Sequence, residues 1–513
     1  MNIGDWIVKW SRITPDKTAI MDDEQEFSYK ELNDRCNRLT NYLLKQGVGK
    51  GDRIAIISHN CHQFMEIFFA SSKVGAVFVP LNWRMAVTEI VGVLNDCSPK
   101  FIFFEGEFSD LIISVREKVE HIERYIGLGD HGLSWADAYD DIESFPATEP
   151  FGLAPTSFED PHIILYTSGT TGEPKGAILS IRKAFYNTLN ANIFFGLTPA
   201  DIFLVSRPLF HSGGLLIDSL PTLYKGATVM YKRRFSTREY LEAVVRYQVT
   251  ISEPAATFLN FLLKESDYDL SSNLRSLRSF YTGGERVPPT LIKAYHEKGL
   301  PLSQLFGMTE TSTVTWLPAE YTYRKIGSVG KPVFHGEVKI VNKEGNEVAP
   351  GETGEILVGG PILMSGYWNK PEQTKECIKE GWLYTGDLAT VDDEGFIYII
   401  DRSKDTYISG GENIHPAEVE KSLLTNPKIF DVAVYGVPDE KWGEVGKASI
   451  VLKDGQQMTQ DEVLAFLDGR IGKYKIPKHI EFIKELPMTA TGKIKRYVLI
   501  EAFKAGLDQK EKA

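Results

Sequence analysis

Segments with helical spacing of apolar residues alternate with short, wholly apolar runs along most of the chain. Between residues 27 and 48, Leu32, Cys36, Leu39 and Leu43 fall on one helical face. A Gly-Asp turn and the apolar run Ile54–Ile57 follow, and the same alternation recurs twice before residue 106. Because helix, turn and buried strand in repetition are typical of parallel sheets covered by helices, the pattern predicts an α/β architecture.

The pattern changes near Gly327, where short strands are separated by tight turns such as EGN and PGETG. A helix and strand pattern resumes after Asp401. The sequence therefore predicts a large domain over residues 1–400, built of two parallel-rich sheets with flanking helices. A small β-rich subdomain is expected at about 327–400 of that domain, and a small α+β domain over 405–513.

Composition and charge narrow the class of protein. Lys and Arg number 57 against 69 Asp and Glu, a net charge of −12, which argues against nucleic acid or anionic lipid as the general partner. The four cysteines lack CxxC spacing, so neither a zinc site nor a disulfide framework is expected. The N-terminus lacks the apolar core of a signal peptide, and the most apolar stretch is too short to span a bilayer. A soluble, cytoplasmic protein is expected.

A loop rich in glycine and threonine follows the apolar run HIIL and reads YTSGTTGEPKG. Backbone N–H groups and small hydroxyls in such a loop can surround phosphate oxygens, and a lysine adds positive charge. The loop is not a Walker A motif, because it lacks Gly-Lys followed by Ser or Thr. The phosphate contacts are predicted at Thr167, Ser168, Gly169, Thr170, Thr171, Gly172 and Lys175.

This loop resembles the signature loop of the adenylate-forming enzymes, which include acyl- and aryl-CoA synthetases, peptide-synthetase adenylation domains and beetle luciferases. The other motifs of that superfamily follow in order from FSYKELNDR to TGKIKR, over nearly the whole chain. The chain looks most like bacterial fatty-acyl-CoA synthetases and coumarate–CoA ligases. The resemblance implies a ligase that joins an acid to AMP from ATP, releases pyrophosphate, and transfers the acyl group to coenzyme A.

The resemblance also implies the positions of ATP and Mg²⁺. Glu310 is expected to hold Mg²⁺, Asp387 to accept the ribose hydroxyls, and Arg402 to contact ribose or phosphate. Lys493 is expected to bridge the substrate carboxylate and the α-phosphate, with Thr309 near that phosphate. The adenine contacts are expected at Gly283, Gly284, Glu285, Gln304, Leu305, Phe306, Gly307 and Met308, with Phe306 where relatives usually have Tyr.

The acid pocket is implied by the same motifs. His211 is expected to orient the acid, and the pocket to be lined by Gly214, Phe258, Gly283, Gly284 and Thr311. No carboxylate stands beside Phe210–His211 and no second cationic anchor is evident, which argues against amino acids and dicarboxylates. A medium- or long-chain fatty acid is the first expectation, and an aryl or alicyclic acid the alternative.

For the second half-reaction, the resemblance implies a hinge at residues 401–404, centred on Lys404, about which the C-terminal domain rotates. The CoA contacts are expected at Ser409, Gly410, Gly411, Trp442, Lys473 and Lys475. Three other interpretations remain open: loading of a separate carrier protein, a luciferase-type oxygenase and a binding module without catalysis. A homodimer is a further expectation from relatives.

Overall fold

A computed structural model describes residues 2–23, 25–167, 174–234, 236–265, 269–284, 287–300, 302–402, 406–487 and 494–511. The helices are α1 (Asp5–Ile13), α2 (Tyr29–Lys45), α3 (His62–Val74), α4 (Val87–Cys97), α5 (Ser109–Arg116), α6 (Ile181–Phe195), α7 (Leu220–Tyr224), α8 (Thr237–Tyr247), α9 (Ala256–Leu263), α10 (Leu270–Asn273), α11 (Pro289–Glu297), α12 (Ala319–Thr322), α13 (Pro371–Cys377), α14 (Pro416–Leu424), α15 (Gln460–Leu467) and α16 (Arg496–Glu511). Short 3₁₀ segments lie at Gly106–Phe108, Tyr139–Ser144 and Lys473–Lys475, and a π-helical segment at Gly213–Ser219.

The strands are β1 (Thr18–Asp22), β2 (Gln25–Ser28), β3 (Arg53–Ile57), β4 (Val77–Pro80), β5 (Phe101–Glu105), β6 (Arg124–Leu128), β7 (Asp137–Ala138), β8 (Pro161–Thr167), β9 (Lys175–Ser180), β10 (Ile202–Val205), β11 (Thr228–Tyr231), β12 (Ile251–Ser252), β13 (Ser279–Gly283), β14 (Ser303–Met308), β15 (Ser312–Leu317), β16 (Ser328–Pro332), β17 (Glu337–Val341), β18 (Gly354–Gly359), β19 (Gly366–Tyr367), β20 (Ile378–Lys379), β21 (Trp382–Val391), β22 (Ile397–Arg402), β23 (Tyr407–Ser409), β24 (Glu412–Ile414), β25 (Ile429–Asp439), β26 (Gly443–Leu452) and β27 (His479–Phe482).

The chain forms two compact units. The larger comprises Met1–Trp83, Leu94–Tyr166 and Gly176–Asp401, and the smaller comprises Arg84–Val93, Thr167–Lys175 and Arg402–Ala513. The predicted fold class, a large α/β domain followed by a smaller α+β domain, is confirmed. Among the helices of the described residues, none combines the length and apolar character that a bilayer crossing requires.

Two sheets organise the larger unit. One runs in the order β19-β9-β8-β4-β3-β5-β6-β7, with parallel pairing from β8 to β7. Its central strand β3 has Ile54, Ile56 and Ile57 fully buried, as expected of a parallel strand covered on both faces. The helical face predicted on α2 is also buried, and the Ser28–Glu31 capping box starts that helix.

The other sheet runs in the order β17-β18-β21-β22-β16-β15-β14-β13-β12-β10-β11-β1-β2. Pairing is parallel from β14 through β13, β12, β10 and β11 to β1, and antiparallel from β14 to β17 wherever the register is described. The strands after Gly327 therefore continue this hydrogen-bonded ladder instead of forming a separate sheet. Because β13 and β14 are parallel neighbours, the loops at their carboxyl ends lie side by side, where α/β sheets commonly bind ligands.

The smaller unit contains a third sheet in the order β24-β23-β26-β25, with β27 parallel to β26. The apolar core of this unit includes Val419 and Leu423 of α14 and Val463 and Leu467 of α15. These residues recur at intervals of four along each helix, so one face of each helix is buried.

Candidate active site

The predicted phosphate loop leaves the buried strand β8. The Thr167 hydroxyl, at the end of that strand, donates a hydrogen bond to the Lys175 carbonyl oxygen at 3.4 Å, so the two ends of the loop meet. Ser168, Gly169, Thr170, Thr171 and Gly172 lie outside the described residues. Their phosphate contacts remain a prediction from the loop sequence.

Glu310 lies in a tight turn between β14 and β15, and only 7% of its surface is exposed. The Tyr367 hydroxyl donates a hydrogen bond to Glu310 Oε1 at 2.7 Å, and the Met364 N–H donates to the Glu310 carbonyl oxygen at 2.8 Å. Burial and the neighbouring Glu310 carboxylate raise the pKa of Tyr367. The carboxylate is thus held in one orientation, and it provides the hard oxygen donor that Mg²⁺ prefers.

The predicted adenine segment is built on two adjacent strand ends. Gly283 of β13 pairs with Leu305 of β14, and Phe306 and Met308 are half-buried at the end of β14. A Cβ at Gly307 would lie 1.7 Å from the Ser312 carbonyl oxygen, so the close approach of β14 and β15 requires glycine there. Gln304 is buried, and Thr309 is half-buried in the turn that follows. Glu285 lies outside the described residues.

Asp387 lies in β21 and is 6% exposed. Its N–H donates a hydrogen bond to the Thr385 hydroxyl at 3.0 Å, and the preceding Gly386 has a φ of +77°. These features fix the backbone from which the Asp387 carboxylate projects. Arg402 ends β22, but its side chain lies outside the description, as do Lys404 and Lys493.

Of the residues predicted for the acid pocket, His211 and Gly214 lie at the start of the π-helical segment. A Cβ at Gly214 would lie 2.6 Å from the Pro208 carbonyl oxygen, so His211–Gly214 is a compact turn that only glycine allows. Phe258 is half-buried in α9 and packs edge-on against Tyr240, with ring centroids 5.3 Å apart. Thr311, by contrast, is fully buried, and its hydroxyl bonds to the backbone of its own turn. Its expected contact with the acid stays a prediction.

A buried charged cluster beside this pocket was not predicted. Arg207 Nε lies 2.9 Å from Glu253 Oε1, and an Arg207 Nη donates to the Gly283 carbonyl oxygen. The Tyr281 hydroxyl donates to Asp218 Oδ1 at 2.5 Å. Burial raises the pKa of Glu253 to about 7 and raises the pKa of Asp218 well above its ordinary value. The sequence feature that could have indicated this cluster is the single acidic residue in each of the apolar runs LLIDSL and ISEPAA.

A second unpredicted group is Lys183 in α6, which is fully buried. Its ammonium donates a hydrogen bond to the Ser312 hydroxyl at 2.6 Å, and the Ser212 hydroxyl lies 3.1 Å from the same oxygen. Burial lowers the pKa of Lys183 to about 7, although Glu310 acts in the opposite direction. Ser312 has a φ of +60°, which is uncommon for a residue other than glycine. The three side chains connect α6 to the Glu310 turn and to the His211 loop.

In the smaller unit, the predicted CoA residues Ser409 and Gly410 lie beside Trp442 and the residue that follows it. The Gly410 N–H donates to the Trp442 carbonyl oxygen at 3.1 Å, and a Cβ at Gly410 would lie 2.8 Å from the indole ring. Ser409 pairs with Gly443, and Gly411 has a φ of +83°. The absence of a side chain at Gly410 thus lets the backbone pass directly against the indole.

The lysines near this loop differ from the prediction. Lys473 is exposed, but Lys475 is 1% exposed, and its ammonium lies 2.6 Å from Glu89 Oε1 and 2.9 Å from Glu418 Oε2. Burial by itself lowers the pKa of Lys475, and Tyr474 and these carboxylates raise it by more. Two other ammonium groups flank Trp442: that of Lys478 lies 5.1 Å from the ring centroid, and that of Lys441 lies 4.9 Å from it. Lys475 thus serves as a buried ion-pair partner here, which corrects its expected contact with CoA phosphates.

Comparisons with known proteins find similar sequences over nearly the whole chain. The family model described as AMP-binding enzyme matches residues 7–368, and that of the AMP-binding enzyme C-terminal domain matches residues 418–493. The chain is 39% identical over 493 residues to a feruloyl-CoA synthase of Amycolatopsis sp, covering 96% of this chain and 97% of that protein. It is 36% identical over 502 residues to an indoleacetate–CoA ligase of Aromatoleum aromaticum, covering 97% of each.

Among solved structures, the chain is similar to o-succinylbenzoate CoA synthetase from Bacillus subtilis, in a double mutant bound with its product analogue. The TM-score is 0.86 and the identity 32%, with 96% of this chain and 97% of that chain covered.

Proposed function

The chain belongs to the AMP-binding enzyme family as an AMP-forming acid–CoA ligase, and on that premise we propose that the acid it activates is an aryl acid. Three relatives are named for feruloyl, indoleacetate and o-succinylbenzoate substrates, all of which contain an aromatic ring. This order reverses the expectation from sequence, in which a fatty acid stood first and an aryl acid second. The observation that carries the proposal is the likeness over 96% of the chain to ligases of aryl acids.

The first half-reaction joins the acid to AMP. A carboxylate oxygen of the acid attacks the α-phosphorus of ATP, and the bond from that phosphorus to pyrophosphate breaks. The adjoining ends of β13 and β14 hold adenine against Gly283, Gly284 and Phe306, while Asp387 accepts the ribose hydroxyls. Lys493 bridges the carboxylate and the α-phosphate. The protein lowers the barrier by positioning and by neutralising charge, so no covalent bond to a side chain is needed.

Glu310 is the proposed Mg²⁺ ligand. Its carboxylate is buried, and the Tyr367 hydroxyl donates a hydrogen bond to Oε1, so Oε2 is the oxygen proposed to bind the cation. A bound Mg²⁺ would neutralise charge on the phosphate oxygens. The loop that contains Thr167 and Lys175 holds the departing pyrophosphate.

In the second half-reaction the CoA sulfur attacks the carbonyl carbon of the acyl-adenylate, a thioester bond forms, and AMP leaves. We propose free CoA as the acceptor. The support is the arrangement around Trp442, where Lys441 and Lys478 place two ammonium groups beside an aromatic ring and next to the Ser409–Gly411 loop. Such a surface suits the phosphates and adenine of CoA. The hinge at Lys404 remains a prediction.

The test is the release of pyrophosphate from ATP and Mg²⁺ with a panel of acids, each with and without CoA. The panel contains ferulate, 4-coumarate, indoleacetate, benzoate, hexanoate, decanoate and palmitate. We expect the highest kcat/KM with one of the aryl acids, and multiple turnovers only with CoA present. A higher kcat/KM with decanoate or palmitate would overturn the aryl assignment. Release that stays stoichiometric with CoA present would overturn CoA as the acceptor and favour a carrier protein.

A further inference from the structure

Asp96 stands in the last turn of α4, at the end of a helix where a carboxylate is electrostatically unfavourable. The carboxyl end of a helix carries partial negative charge, so a basic residue is favoured there. The last turn of α4 has the sequence LNDC, in which the charged side chain is acidic. Asp96 is also half-buried. A residue that departs from the local preference of its own helix is a candidate for a role outside that helix.

Hydrogen bonds join Asp96 to residues on both sides of the predicted phosphate loop. Before the loop, the Tyr166 hydroxyl donates to Asp96 Oδ2 at 2.6 Å. After the loop, the Gly176 carbonyl oxygen in β9 accepts a hydrogen bond from the Trp368 N–H at 2.7 Å. The Trp368 indole N–H donates to the Asp96 carbonyl oxygen at 3.2 Å, and Asn369 Nδ2 donates to the same oxygen at 2.9 Å. Asp96 thus closes a ring of contacts around the two residues that flank the loop.

The two flanking residues also contact each other directly. A Cβ at Gly176 would lie 3.0 Å from Tyr166 Cζ and 2.6 Å from Ile164 Cγ2. The Tyr166 ring therefore lies against the backbone of β9, in space that is open because residue 176 is glycine. The ring is held along its side by Gly176 and at its hydroxyl by Asp96, so the end of β8 has one fixed position relative to the start of β9.

Strand β19 and the residues after it also hold the proposed Mg²⁺ ligand. Tyr367 pairs with Ala177 of β9, and its hydroxyl donates to Glu310 Oε1 at 2.7 Å. Asn369 has a φ of +53°, which asparagine adopts more readily than most residues, and its amide joins this segment to Asp96. The carboxylate proposed to bind Mg²⁺ and the ends of the loop predicted to bind phosphates are therefore connected through one short stretch of chain.

We propose that Asp96 is a positioning residue for the triphosphate of ATP. By holding Tyr166 on one side of the loop and Asn369 on the other, it keeps the two ends of the loop and the Glu310 segment at one separation. This inference rests on the proposed function, in which that loop holds the departing pyrophosphate. AMP lacks the β- and γ-phosphates, so loss of this support should weaken the binding of ATP and leave the binding of AMP unchanged.

The experiment measures Kd for ATP with Mg²⁺ and Kd for AMP by isothermal titration calorimetry, without an acid. The variants are Tyr166→Phe, Asp96→Ala and Asp96→Asn. A hydrogen bond to a charged group contributes enough that Kd for ATP should rise about 10-fold in Tyr166→Phe and in Asp96→Ala. Asp96→Asn keeps an oxygen acceptor for the hydroxyl and should stay within about 3-fold of the wild type. Kd for AMP should be that of the wild type in all three.

Two further variants test whether Asp96 acts through its partners. The double variant Asp96→Ala with Tyr166→Phe should bind ATP no more weakly than either single variant, because both changes remove the same hydrogen bond. Asn369→Gly removes the donor on the other side of the loop, and glycine adopts its backbone conformation freely. We expect Asn369→Gly to raise Kd for ATP by about the same factor as Tyr166→Phe and to leave Kd for AMP unchanged.

Tyr42→Phe is the matched control. The Tyr42 hydroxyl also donates to an aspartate, Asp137 Oδ2 at 3.3 Å, but Asp137 lies in β7, at the opposite edge of the same sheet from β19. Tyr42→Phe should bind ATP and AMP as the wild type does. Thermal unfolding of every variant checks the fold. Asp96→Ala should keep a Tm close to that of the wild type, because removal of an acidic side chain from the end of α4 offsets the lost hydrogen bond.

Three outcomes would overturn the inference and leave the ligase assignment intact. They are an unchanged Kd for ATP in Tyr166→Phe and Asp96→Ala, whatever their Tm, an equal rise in Kd for AMP and for ATP, and a double variant in which the two single effects multiply. A wild type that binds no ATP and releases no pyrophosphate with any acid of the panel would instead refute the proposed function.

Discussion

Replacing Lys183 by Met should stabilise the protein at neutral pH. The ammonium is fully buried and has the Ser312 hydroxyl as its hydrogen-bond acceptor at 2.6 Å. Burial lowers the pKa of Lys183 from 10.5 to about 7. Relative to the unfolded chain, folding therefore disfavours the charged form of Lys183 by roughly 4 to 5 kcal/mol. Loss of the hydrogen bond to Ser312 costs about 1 kcal/mol, so we expect the free energy of unfolding to rise by about 3 to 4 kcal/mol.

The direction of the pH dependence follows from the lowered pKa. Between about pH 7 and 10.5 the unfolded chain holds this proton more tightly than the folded chain, so raising the pH stabilises the wild type. Below about pH 7 both states are protonated, and the full cost of the buried charge is present. The advantage of Lys183→Met should therefore be largest near pH 6.5 and should shrink steadily towards pH 9.5.

The assay is thermal unfolding of the wild type and the variant at pH 6.5, 7.5, 8.5 and 9.5, without nucleotide or metal. For a unit of this size the expected gain in Tm is about 3 to 5 °C at pH 6.5. Lys325→Met is the control, because hydrogen bonds to Asp392 and Glu394 raise the pKa of Lys325 and keep it protonated over this range. A difference between Lys183→Met and the wild type that is equal at pH 6.5 and 9.5 would refute the reasoning, as would a lower Tm of the variant throughout.

Three further predictions concern the other lysines and the Mg²⁺ site. Lys475→Met removes the cation that pairs with the buried Glu418 and the partly exposed Glu89, so thermal unfolding should show a loss of about 3 to 5 kcal/mol. Lys478→Met should instead keep the wild-type Tm and raise KM for CoA several-fold with KM for ATP unchanged. Glu310→Gln should lower the adenylation rate by about 100-fold and move half-maximal activity to higher Mg²⁺ concentration; an unchanged Mg²⁺ titration would contradict its assignment. Lys493→Ala should lower pyrophosphate release by about 100-fold or more, while a supplied acyl-adenylate still reacts with CoA. Equal losses in both assays would contradict the assignment of Lys493 to the first half-reaction alone.

The elements and the main motifs could be predicted from the chain because their signals are local. The apolar face of α2 is set by residues three and four apart, and the burial of β3 by four successive apolar residues. The phosphate loop and the Glu310 turn are short, contiguous segments whose residue types indicate their chemistry. For the same reason the resemblance to the adenylate-forming enzymes could be identified, and the comparisons confirm it.

Side-chain partners far apart in the sequence were decided by the tertiary structure. Lys475 was expected to contact CoA because it forms a basic pair with Lys473 around Tyr474, yet its partner Glu89 is 386 residues away. Arg207 and Gly283 are 76 residues apart, and Lys183 and Ser312 are 129 apart, so nothing in their local sequence indicated a contact. The sequence by itself determined which elements form and which loops carry the chemistry, because backbone preferences and burial patterns act over a few residues. Only the packing of β12, β13 and the π-helical segment decided that two buried acids and an arginine meet beside the end of β13, because a charge is stabilised by the groups that the fold packs against it.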